Sequence, residues 1–123
     1  MTSGRTLAIA GLLLALATGL GAFGAHALKG QLPAERLALW DTAVRYHFFQ
    51  GLGLLCLGLV MRGAQAPALR GAAVLILVGT VLFSGSLYAL ALGVPRPVGV
   101  LTPLGGLLLI GGWLAFAYGM WTR

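Results

Sequence analysis

Few side chains in this chain could do chemistry. Its 123 residues include two histidines, three tyrosines, one cysteine and two carboxylates. The carboxylates, Glu35 and Asp41, fall together in one amphipathic stretch, so the paired acids of a glycosidase or protease are excluded. A zinc centre takes three or four ligands, and Cys56, in the middle of "GLLCLGLV", is badly placed to join the histidines. No catalytic residue and no metal site is expected. Cys56 has no partner for an intrachain disulfide and reads as a small core residue.

The polar groups that remain are His26, Tyr46, His47, Gln50, Ser84, Ser86, Tyr88 and Thr102. His47 and Gln50 stand three apart and so share a helix face. Ser84 and Ser86 can bond to carbonyls a turn earlier, and Thr102 before Pro103 has the form of an N-cap followed by a first-turn proline. His26, inside "GLGAFGAHAL", admits three roles: solvation by lipid headgroups, a hydrogen bond across helices, or ligand and proton handling. Two histidines on separate runs could hold a haem axially, and His, Tyr and Arg near an interface could hold a quinone headgroup. Neither has a spacing signal, so no cofactor is expected. "GLGAFG" matches a dinucleotide-binding turn at Gly19, Gly21 and Gly24, but that turn needs a strand before it, and these glycines lie inside a long apolar run.

The elements that carry these residues follow from composition. The chain is 59% hydrophobic and 8% charged, against about 25% charged in soluble domains. It is a membrane protein. Apolar runs at about 6–28, 46–61, 71–92 and 100–121 are each of spanning length or close to it, and residues of about 33–45 read as an amphipathic interfacial helix, with Leu37, Trp40, Val44 and Phe48 on its apolar stripe. The fold class is an all-α integral membrane protein, a bundle of four transmembrane helices forming a single four-span domain over 1–123. Trp40, Trp113, Tyr118 and Trp121 lie toward run ends, as aromatic-belt residues do. The net charge of +6 is scattered singly at the ends of runs, which suits interfacial anchoring and excludes a nucleic-acid stripe.

Small residues recur every fourth position in three rows: Ala17, Gly21 and Ala25; Gly85, Ala89 and Gly93; Gly111, Ala115 and Gly119. Such rows let helix backbones approach closely where lipid offers no hydrophobic drive. With the runs alternating in direction, the eight polar residues gather toward one face of the membrane as a polar layer. "AHA" at 25–27 resembles a signal-peptide cleavage site, yet the run before it is longer than an h-region, and it reads as a retained span. Four spans put both termini on one side. Arg5, Arg62, Arg70 and Arg123 balance Lys29, Arg36, Arg45 and Arg96, and the short-loop pair Arg62 and Arg70 inclines the termini to the cytoplasm.

"GAFGAHALK", "WDTAVRYHFFQGLGLL", "LFSGSLYALAL" and "LTPLGGLLLIGGWL", in this order, resemble the small multi-pass family known as domain of unknown function 423, which takes in YgdD-like and YwdK-like bacterial membrane proteins and transmembrane protein 256. The resemblance implies a multi-pass protein of the bacterial inner membrane and carries no established activity. It also implies Tyr-Gln-x-x-His at the start of the second span, where this chain has Tyr46-His47-Phe48-Phe49-Gln50; a hydrogen-bonded site could survive that exchange, a metal or haem ligand could not.

Two functional readings stand. The first is a non-enzymatic helix-packing or accessory membrane protein, whose partners are lipid, a second copy or a larger membrane complex. The second is a binder or carrier of a small amphiphile, a quinone, lipid or weak base, through the polar layer. An intramembrane enzyme using His26, Tyr46 and His47 would lack a nucleophile and a metal.

Overall fold

Thr2 starts the first helix: its hydroxyl oxygen accepts the Arg5 backbone N–H at 3.2 Å, satisfying one of the donors a helix leaves free at its N-terminus. In a computed structural model describing residues 1–123, helix α1 runs Ser3–Phe23 and passes directly into a π turn, Gly24–Leu28; α2 is Ala34–Gly63, α3 is Pro67–Ala91, and a 3-10 turn, Arg96–Val100, leads into α4, Leu101–Trp121. All four helices are long and apolar enough to cross a membrane. Residues of the amphipathic stretch and of the second apolar run form one uninterrupted helix, because no proline interrupts the sequence after Pro33 until Pro67. Its 30 residues extend about 45 Å, against a hydrocarbon thickness of about 30 Å. The charged first turns of α2 therefore stand outside the apolar layer.

Each helix packs chiefly on its sequence neighbours, α1 on α2, α2 on α3, α3 on α4. The central pair is the better covered: 33% and 39% of the spans in α2 and α3 are buried, against 17% in each outer helix. The main core joins Ala10, Leu54, Leu57, Met61, Leu69, Ala72, Ile76 and Leu109. The N-terminal end of α1 and the C-terminal end of α4 both meet the C-terminal end of α2, where Ser3 Oγ donates to the Gly58 carbonyl at 2.8 Å and Arg123 reaches the Gly63 carbonyl at 3.3 Å.

The close approach of helices uses a set of glycines that overlaps the three rows only at Gly21 and Gly119. On α4 the seam is Gly105, Gly112 and Gly119, at intervals of seven. A Cβ on Gly105 would strike the Phe83 backbone nitrogen and come to 2.8 Å from the Gly79 carbonyl; one on Gly112 would come to 2.7 Å from Ile76 Cγ1. Positions seven apart return to within about 20° of the same direction, whereas steps of four drift twice as far each time. Gly111 accordingly faces open space, as does Gly85, and Ala115 is only partly buried. In the first row Ala17 is buried and Gly21 meets Val44 Cγ1 at 3.3 Å, but Ala25 is exposed because the π turn rotates it outward. In the second, Ala89 is half-buried and Gly93 has left the helix. It sits at φ +100° in a Schellman turn, with the Val94 N–H on the Ala89 carbonyl at 3.0 Å. Arg36 closes that end, donating from Nε to the Ala91 carbonyl at 2.8 Å.

Three further expectations are corrected. Cys56 is exposed on the outside of α2 and is not a core residue. Trp40, only 2% exposed, is not a belt residue, and half-buried Trp113 has its indole turned inward. Thr102 does not cap α4; the 3-10 turn leads into that helix and the threonine hydroxyl goes to another helix.

Candidate functional site

In hydrocarbon a polar side chain must find a partner inside the protein, and most of the expected layer does so across helix boundaries. Ser84 Oγ on α3 donates to the Ala43 carbonyl on α2 at 2.8 Å. The Ser86 hydroxyl is hydrogen-bonded to the Thr102 hydroxyl on α4 and also donates to the Phe83 carbonyl at 3.0 Å, one turn earlier. Gln50 Oε1 on α2 accepts the Trp113 indole N–H from α4 at 2.8 Å. His47 Nδ1 on α2 lies 2.9 Å from Tyr88 Oη on α3. Seven of the eight residues thus lie in or beside this layer.

The eighth, His26, does not join it. It is exposed on the π turn, and the glycines around it serve another residue. Trp40 inserts against Gly24, where a Cβ would lie 2.5 Å from its Nε1, and its indole N–H donates to the Leu20 carbonyl at 2.9 Å, in the last turn of α1. Its ring then meets the edge of Tyr88, centroids 4.7 Å apart. Trp40 and Trp113 are the layer residues that sequence reasoning missed. The signal was present: an indole N–H within an apolar run needs an acceptor.

His47 and Gln50 also part company. Gln50 turns toward α4 and, with Tyr46, Phe83, Leu109, Ile110 and Trp113, lines a groove of about 520 Å³. Tyr46 is exposed at the side of that groove, its ring tilted against Phe83 with centroids 4.8 Å apart. His47 lines a second cavity, of about 170 Å³, between α1 and α3, walled by Leu13, Leu16, Leu20, Thr80, Val81, Ser84, Gly85 and Tyr88. The idea that exchanging histidine and glutamine preserves one shared hydrogen-bonded site is therefore wrong for this geometry; the two positions serve different grooves. His47 is 3% exposed, and its Nε2 is the one buried side-chain nitrogen or oxygen without a hydrogen-bond partner. No three side chains of His, Cys, Asp or Glu come together.

Comparison with known proteins places these helices in a family. A family model described as "Protein of unknown function (DUF423)" matches residues 20–106. A UPF0382 membrane protein of Staphylococcus haemolyticus is 46% identical over 99 residues, 80% of each chain. The UPF0382 membrane protein YwdK of Bacillus subtilis is 43% identical over 100 residues, 80% of this chain and 81% of its own. No solved structure matches.

Proposed function

The chain belongs to the DUF423 family of membrane proteins, and on that premise we propose that it is a non-enzymatic helix-packing or accessory protein of the bacterial cytoplasmic membrane. One observation carries this reading. The hydroxyls of Ser84, Ser86 and Thr102 and the Gln50 carbonyl oxygen are spent on bonds between helices, so they hold the fold together and are not free to act on a substrate. The faces left for a partner are apolar, and on the outer helices they carry Leu12 and Leu16 of α1 and Leu107, Ile110 and Leu114 of α4. Both termini lie on the cytoplasmic side in this reading, with Arg62 in the last turn of α2 and Arg70 in the first turn of α3 flanking the short loop between them.

Single-cysteine variants on a Cys56→Ser background test both parts in native membranes. Oxidative cross-linking through Leu12→Cys or Leu107→Cys should yield a product of defined mass, a dimer or a heteromer; no product from either face would overturn the accessory reading. A membrane-impermeant thiol reagent added to intact cells should label Gln31→Cys and spare Gln65→Cys. The opposite pattern reverses the orientation.

A further inference from the structure

We propose that the groove between α2 and α4, backed by Phe83 of α3, binds the ring of a neutral, lipid-soluble compound of the quinone class, whose carbonyl oxygens accept from the Gln50 amide and the Tyr46 hydroxyl. The amide is the starting point. An indole N–H can only donate, so the atom that Trp113 meets at 2.8 Å is the Gln50 carbonyl oxygen, and the other end of the group is the NH2. That nitrogen makes no hydrogen bond within the chain, and it is not sealed off, since His47 Nε2 is the one buried side-chain nitrogen or oxygen without a partner. Gln50 lines the groove, so its two N–H donors stand vacant there.

Depth makes that vacancy costly. Gln50 lies about 7.5 Å along α2 from Arg45 and about 18 Å from Arg62, within the apolar run, where water does not supply the missing bonds. A second donor stands one turn away. Tyr46 and Gln50 are four apart, share a helix face and are displaced by about 6 Å along the axis. The Tyr46 side chain, 40% exposed, lines the same groove, and its hydroxyl bonds to no group of the chain. A phenol can donate or accept, but an amide NH2 only donates. The ligand must therefore bring accepting oxygens, and carbonyls on opposite edges of one ring answer both donors.

Size and lining narrow the class. A volume of about 520 Å³ falls in the range of roughly 300–1,000 Å³ usual for small-molecule sites and exceeds the roughly 150 Å³ that accommodates a benzene ring, leaving room for ring substituents and the first part of a tail. No charged side chain lines it, so an ionic ligand would be desolvated there without compensation. Three of its walls, Tyr46, Phe83 and Trp113, are aromatic and suit a flat ring. Exposed Ile110 and Leu114 border the groove on α4, which opens a lateral way in from the bilayer. Leu107 is not part of the lining, so a protein partner on that face and a ring in the groove are compatible.

The test is equilibrium quenching of tryptophan fluorescence by decylubiquinone in the full-length protein in nanodiscs, since Trp113 forms one wall of the groove. Saturable quenching is expected. Neither decylbenzene, a ring without carbonyls, nor dioleoylglycerol, ester carbonyls without a ring, should displace the quinone. Tyr46→Phe keeps the ring against Phe83 and removes only the hydroxyl, and should weaken binding about three- to tenfold, the loss expected for one hydrogen bond. Gly106→Leu is a second, independent variant. Its Cβ meets only the Phe83 ring at an ordinary 3.8 Å, so the fold tolerates it, while the longer side chain fills the groove and should abolish saturation. Linear, unsaturable quenching of the wild type would overturn the proposal, as would saturable binding unchanged in either variant. Displacement by decylbenzene would show that the carbonyls are not read, and displacement by dioleoylglycerol that the groove takes the acyl ester of a glycerolipid; either result also overturns it.

Discussion

The hydroxyl of Ser84 and the ring of His26 mark the two fates of a polar group in this chain. Ser84 is buried and bonded to a neighbouring helix; His26 is exposed where a turn widens. Bonds of the first kind within membranes are worth about 0.6 kcal/mol on average and up to about 1.7, and the Ala43 carbonyl keeps its place in the α2 ladder when the serine is removed. Ser84→Ala should therefore lower stability to unfolding in detergent by an amount in that range. His26→Ala should stay within about 0.5 kcal/mol of wild type, as surface substitutions do. A loss of more than 1 kcal/mol for His26→Ala would show that the π turn holds the histidine in a role its exposure conceals. The sequence made the polar residues visible but not their pairing. Side chains three apart can diverge into different grooves, as His47 and Gln50 do, since each step of three turns the direction by about 60°.

At the scale of the helix, composition and run length suffice to place the four apolar spans, because hydropathy is read directly from residue type. The contact seams were less legible. "GG" occurs at 105–106 and again at 111–112, and small-residue spacing alone does not say which of each pair faces α3. The geometry chooses Gly105 and Gly112. A methyl on Gly105 would push against the α3 backbone and not against a flexible side-chain end, so Gly105→Ala should cost about 1–3 kcal/mol, the range for overpacking. Gly111→Ala enters open space and should be neutral or stabilising by up to about 1 kcal/mol, the difference in helix propensity. Thermal unfolding of the two variants side by side checks this: equal destabilisation would mean that the α3 to α4 seam is not the one described. Likewise Trp40 reads as a belt residue from its position near a run end, and only the partnership with Gly24 and Leu20 draws it inside.

For the molecule as a whole, the order of contacts along the chain matters as much as their number. Packing runs from each helix to the next, and the bonds from α4 back to α2, through Trp113 and Arg123, are the ones that skip a neighbour. Proteins rich in sequence-local contacts fold quickly because little chain entropy is lost before contacts form. During synthesis the α1–α2 hairpin can thus complete its interface before α3 exists, and α3 meets a finished surface when it arrives. A translational-arrest force measurement should then show successive pulls as α2, α3 and α4 enter the membrane, with Trp113→Phe weakening the last alone; a single late pull would mean that nothing packs until the chain is whole. The row of helices is in this sense a record of time, in which position along the fold and moment of assembly are the same coordinate.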